Sequence, residues 1–153
     1  MDEIPIYSNK DVGQFVQKTL KNLAFIEEAA DKKNDVDLVT QLIVSMLGLI
    51  VLPLAEDTKK WLEDRTLADV TPDGVQLWRI TFGESKNLYG HFRHLSNAIA
   101  HMRINTQPHV EHLEEVIEFD APANDKPVTW RAEIRARDLR NFCVAFGEKL
   151  REM

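Results

Sequence analysis

The chain has one cysteine, Cys143, so it cannot close an internal disulfide. Flanked by Phe142 and Phe146 in an apolar run, that cysteine reads as a small core residue of a protein kept in a reducing compartment. Glycine and proline are equally scarce, six of each, and so few breakers favour long helices. No long apolar run is present either. The most apolar stretch, Met46–Leu54, is nine residues long and contains Pro53, whereas a membrane-spanning helix needs roughly 20 apolar residues. The first residues, Met1–Pro5, carry neither the basic region nor the apolar run of a secretory leader, so the expected location is the cytoplasm. Positive charge is in the minority, with 19 Lys and Arg against 25 Asp and Glu, a formal net charge of −6. That balance argues against holding duplex DNA through massed phosphate contacts, though not against a small anion site. Nine of the 19 basic residues lie from Arg93 onward, including Arg103, Arg131, Arg135, Arg137 and Arg140, enough for a local positive surface on an acidic body. No glycine-rich phosphate loop, Ser-His-Asp order or paired-carboxylate motif stands out.

What is present is a run of amphipathic segments that 153 residues accommodate as a single domain, 1–153. Ser8 is placed to cap a first helix, with Val12, Phe15, Val16, Leu20, Leu23 and Ile26 at helical spacing as far as about Asp31. A second helix starts near Asp35 and becomes apolar nearly all round by Leu49, as the centre of a bundle would, until Pro53 ends or kinks it. A short continuation over Glu56–Glu63 carries Trp61 and Leu62. The stretch from Asp64 to Ser85, with Pro72, Gly74 and Gly83, reads as a long connection with at most short turns. Ser85 is placed to cap a third helix running to about His101. Beyond Pro108 the pattern changes to two alternating runs, Val116–Asp120 and Val128–Ile134, expected as a two-stranded hairpin that buries Ile117, Phe119, Val128, Trp130, Ala132 and Ile134. A last helix from about Arg137 brings Leu139, Phe142, Cys143, Phe146 and Leu150 inward. The expected fold is mainly all-α, a four-main-helix up-and-down bundle with a small β-hairpin inserted before the last helix.

The stretch from Gly90 to Ile104 is where chemistry is expected. At about 100° per residue, Phe92, Leu95, Ile99 and Met102 fall on one side of the helix, and Arg93, His94, Asn97 and His101 on the other. The polar side lacks the lysines and glutamates of an ordinary solvated surface. An arginine, an asparagine and two histidines can instead bind an anion and move a proton near neutral pH. His91, His94 and His101 invite a metal reading, but only His94 and His101 share a face, two turns apart, with no acidic residue at three or four positions from either within the helix; no metal is expected. Trp61, Trp78 and Trp130 are not interleaved with a basic run and read as packing residues.

Four stretches resemble the HEPN superfamily (higher eukaryotes and prokaryotes nucleotide-binding), in particular its small plasmid- and phage-defence-associated branch: Phe15–Glu27, Val39–Pro53, His94–His101, and Val128–Trp130 followed by Asp138–Phe142. The third is diagnostic. In the family it reads arginine, asparagine, three further residues and histidine near the end of the third main helix. Asn97 and His101 match here, while Ser96 occupies the arginine position.

The resemblance implies a homodimeric, metal-independent endoribonuclease of toxin or defence type, acting on single-stranded RNA at a site composed by two protomers, without a cofactor. It implies that His101 handles the proton at the ribose 2′-hydroxyl or the leaving oxygen, with Asn97 beside it. A guanidinium best steadies the phosphorane because it reaches two phosphate oxygens together, and serine carries no charge. Arg93 is the replacement on the same polar face, although eight residues of helix put it about 12 Å from His101. Arg103, with His94 and Ser96, completes the set of candidate phosphate or RNA contacts. The alternative is a catalytically degenerate HEPN module that dimerises, or binds a nucleotide, an antitoxin or another partner protein, its motif arginine replaced by Ser96.

Overall fold

The computed structural model describes residues 17–22, 24–25, 28, 40–45, 56–71, 75–107, 112–122 and 126–152. The described residues of 17–28 and 40–45 are helical, in line with the first two amphipathic segments, and Leu42 is completely buried. The Ser8 cap, the Pro53 break, the Pro72–Gly74 turn and the whole apolar run Met46–Leu54 lie outside the described residues.

From residue 56 onward the order is helix α1 (Glu56–Glu63), a 3-10 turn (Leu67–Val70), strand β1 (Arg79–Phe82), helix α2 (Leu88–Ala100), strand β2 (Ile104–Gln107), a second 3-10 turn (His112–Glu114), strands β3 (Val116–Ala121) and β4 (Trp130–Arg135), and helix α3 (Ala136–Arg151). The four strands form one antiparallel sheet in the order β1-β4-β3-β2. The all-α bundle expected from the sequence is therefore corrected to a mixed helix-and-sheet fold. The hairpin is present, with Ile117 opposite Ile134 and Phe119 opposite Ala132, but it is the middle of a sheet. A lone two-stranded hairpin is marginal in water, and the strands that flank it come from segments that read as connections. β1 lies inside the stretch Asp64–Ser85, and β2 follows α2 directly. Both are four-residue edge strands: β1 alternates polar and apolar residues but is largely exposed, and β2 has a single apolar residue, so pairing with β4 and β3 rather than burial of an apolar face makes them strands.

The inward face of the sheet carries Ile117, Phe119, Trp130, Ala132 and Ile134, all buried as their alternation anticipated, whereas Val128, expected with them, is half-buried and lies ahead of β4. Against it lie Phe92, Leu95 and Ile99 from α2 and Leu139, Phe142, Cys143, Phe146 and Leu150 from α3. The Phe92 ring meets that of Phe146 edge-on at 4.8 Å. Cys143 sits in this core, where burial pushes its thiol pKa up to about 12. Gly83 turns the chain out of β1 at φ +73°, and a Cβ there would stand 2.4 Å from the Thr129 carbonyl oxygen, so only glycine fits the approach of β1 to the start of β4. No described helix is long and apolar enough to cross a membrane.

Candidate functional site

α2 begins one residue pair later than its sequence suggests. Asn87 is the cap, its side-chain oxygen accepting from the Gly90 N–H at 2.9 Å. Ser85, expected in that role, is half-buried and turned toward Trp130 and His91 instead. Its hydroxyl accepts from the indole N–H of Trp130 at 2.9 Å and lies 3.2 Å from His91 Nδ1. An indole nitrogen can only donate, so Ser85 Oγ is the acceptor for Trp130, and it also pairs with His91 Nδ1, while His91 Nε2 is buried without a partner. His91 is completely buried, and burial, with the nearby His94 adding to it, lowers its pKa to about 3. Its ring lies edge-on to Trp78 at 4.7 Å and to Trp130 at 5.3 Å. It is a core histidine, not a ligand.

The polar flank of α2 is open. Arg93, Asn97 and His101 are exposed, His94 and Ser96 half-buried, while Leu88, His91, Phe92, Leu95, Ala98 and Ile99 fill the opposite side. Arg93 leans toward the Tyr89 ring, 5.9 Å from its centre. His94 lies flat on Trp130, with ring centres 4.8 Å apart and planes 15° from parallel. Partial burial, and then the adjacent Arg93, lower the His94 pKa, so it favours the neutral form.

The helix ends in a Schellman arrangement: the Arg103 N–H donates to the Ala98 carbonyl at 2.8 Å and the Met102 N–H to that of Ile99 at 3.1 Å. His101 is the capping residue. Met102, expected on the packing side, is 78% exposed and sits at φ 54°, the left-handed position glycine usually takes. The helical spacing that assigned it inward no longer applies, because the helix stops at Ala100.

Arg103 departs furthest from its expected role. Its guanidinium donates to the Pro122 carbonyl at 3.0 Å and the Lys126 carbonyl at 3.3 Å, holding the loop between β3 and β4. The other arginines of the second half are similarly engaged. Arg131 makes a two-pronged contact with Asp120, 2.7 and 3.2 Å, with Glu118 at 3.6 Å. Arg135 and Arg137 both reach Glu114, at 2.9 and 2.8 Å. Arg135, followed by Arg137, holds the Glu114 carboxyl below the usual carboxylate range. These arginines are spent on carboxylates, and the local positive surface suggested by their number does not form from them.

Arg93, Asn97 and His101 are thus exposed along one flank with His94 at its margin, and Arg103, two residues past His101, is half-buried and donates to the Pro122 and Lys126 carbonyls. Ser96 lies half-buried where the motif would have its arginine. Among the described residues no three His, Cys, Asp or Glu side chains stand together as metal ligands do. Ser85 and Trp130 were missed as supports of this flank. They are 45 residues apart and share no local pattern; only the polar atom of an otherwise apolar Trp130, which needs a partner when buried, hinted at it.

A family model described as HEPN pEK499 p136 matches residues 5–152. No curated protein and no solved structure matches the chain.

Proposed function

Because the chain belongs to the HEPN family, in the group described as pEK499 p136, we propose that it is an RNA-directed protein working as a homodimer, with the polar flank of α2 as its site and metal-independent endoribonuclease chemistry as its activity. The observation that carries this reading is that Arg93, Asn97 and His101 are all exposed on one flank of a helix whose other flank is completely packed. In cleavage by the RNA's own 2′-hydroxyl, a proton must leave that oxygen and another must reach the departing 5′-oxygen, while negative charge builds on the phosphorane. His101 is the proton-handling group, Asn97 hydrogen-bonds the substrate, and a guanidinium neutralises the phosphorane.

Within one chain the guanidinium is misplaced, since Arg93 lies about 12 Å along the axis from His101. A second copy removes the difficulty. Arg93 and His101 stand four residues either side of Asn97, about 6 Å in each direction. Two α2 helices lying antiparallel across a cleft, about a two-fold axis level with Asn97, bring Arg93 of a second copy to His101 and generate two equivalent sites. The test is cleavage of single-stranded RNA in the presence of EDTA. Activity is expected in the wild type and lost in His101→Ala. Arg93→Ala and His101→Ala, each inactive alone, are expected to regain activity when mixed, because one of the two sites in the mixed dimer is intact. Undiminished cleavage by His101→Ala, or a monomeric mass in solution, would sink the composite site.

A second reading, a degenerate module that binds a nucleotide, an antitoxin or another partner, is favoured by two observations: Ser96 at the arginine position and the diversion of Arg103 to loop carbonyls. A chain inert as the wild type but active as Ser96→Arg supports this second reading.

A further inference from the structure

Trp130 is completely buried, yet the stack it begins reaches the surface through His94, which is only half-buried. We infer that His94, backed by Trp130, is a stacking platform for a nucleobase, with Asn97 beside it to hydrogen-bond the base edge; this rests on the RNA-directed reading above.

The geometry is that of a supported ring. One face of the imidazole is covered by the indole at 4.8 Å and 15°. The indole is held from behind by its hydrogen bond to Ser85 and by the edge of His91. Three segments of chain, the approach to α2, α2 itself and the first residue of β4, thus fix the plane of one half-exposed ring. Among the described residues no ring other than Trp130 stacks on His94. A flat, immobilised imidazole loses little rotamer freedom when a base lies on it, and every base has a π-face to offer.

The neighbours suit the same ligand. Asn97 follows His94 by three residues, one turn along the helix, where its amide can donate to and accept from a base edge. Arg93 precedes it and supplies a cation for the adjoining phosphate. The charged or titratable groups facing His94 are Arg93 on the exposed side and the buried, neutral His91 behind it. Partial burial, and then Arg93, oppose protonation of the ring, so stacking is by a neutral imidazole.

The experiment is fluorescence anisotropy with a labelled 2′-fluoro adenylate hexamer, which cannot be cleaved through its own 2′-hydroxyl, against an abasic strand of equal length and charge. The wild type is expected to prefer the adenylate strand. His94→Gln should bind it about 5- to 150-fold more weakly, the range for loss of one stacked base, and His94→Phe, which keeps a flat ring, should bind as the wild type does. Equal affinity of the wild type for both strands overturns the platform and leaves RNA binding through phosphates standing; this arm needs no variant to fold. Wild-type affinity in His94→Gln, or a His94→Phe protein as weak as His94→Gln, likewise overturns the platform alone. Failure of the wild type to bind either strand overturns the RNA-directed reading and the platform with it.

Discussion

The indole nitrogen of Trp130 donates to the hydroxyl oxygen of Ser85 across 2.9 Å, joining the first residue of β4 to the approach of α2. Ser85 in turn faces His91 Nδ1 at 3.2 Å. Ser85→Ala leaves the buried indole N–H without its acceptor and His91 Nδ1 without its partner. An expected loss of about 2 kcal/mol follows from the cost of stranding buried polar groups, measurable by urea unfolding. In a double-mutant cycle with Trp130→Phe the two losses should fall short of additive by about 1 kcal/mol. Strict additivity would deny that the two side chains are coupled.

His91 makes stability depend on pH with a definite sign. Its pKa is lowered to about 3 in the folded chain, chiefly by burial, from 6.5. Above 6.5 it is neutral in both states and its contribution is constant. As pH falls below 6.5 the unfolded chain takes up a proton that the folded chain refuses, so stability drops, the slope approaching about 1.4 kcal/mol per pH unit. Urea midpoints between pH 6.5 and 5, above most carboxylate titration, should fall more steeply for the wild type than for His91→Phe. Parallel curves would mean that His91 is protonated in the folded state.

Met102 holds the left-handed end of α2 at φ 54° while 78% exposed, so its side chain contributes backbone strain and little packing. Met102→Gly is expected to stabilise the protein by about 0.5–1 kcal/mol, the relief at φ > 0 outweighing glycine's greater unfolded-state freedom. Met102→Ile, β-branched at the same φ, should destabilise by about 1 kcal/mol. Thermal melts of the pair check the ordering, and a Met102→Gly protein melting below the wild type would contradict it.

Arg103 separates loop support from RNA contact. With its guanidinium on the Pro122 and Lys126 carbonyls, Arg103→Gln should cost about 1–2 kcal/mol of stability and leave RNA affinity and its salt dependence as in the wild type. Arg93→Gln should do the reverse, reducing the salt slope by about one phosphate contact. A shallower slope in Arg103→Gln would restore Arg103 to the site.

Much of this was legible along the chain. The amphipathic spacing of α2 anticipated Phe92, Leu95 and Ile99 inside and Arg93, Asn97 and His101 outside, because a residue's face on a helix follows from its number. The alternation of Val116–Asp120 and Val128–Ile134 anticipated both the hairpin and its buried side, and the spacing of Leu139, Phe142, Phe146 and Leu150 anticipated α3. Asn97 and the capping His101 lie one turn apart at the end of α2, a spacing that follows from their numbers.

What tertiary structure decided was everything that depends on a partner distant in sequence. β1 and β2 are strands because β4 and β3 offer them hydrogen bonds; β1 alternates over only four largely exposed residues, and β2 has one apolar residue. Arg103 is a loop clamp because two carbonyls some twenty residues away reach it, and Ser85 is a support rather than a cap because Trp130 arrives 45 residues later. The sequence by itself determined which side chains share a helix face or a strand face, since periodicity is a local property of the backbone. Which of its charges and hydroxyls remained at the surface for a ligand was settled only on folding, when long-range pairing consumed the rest.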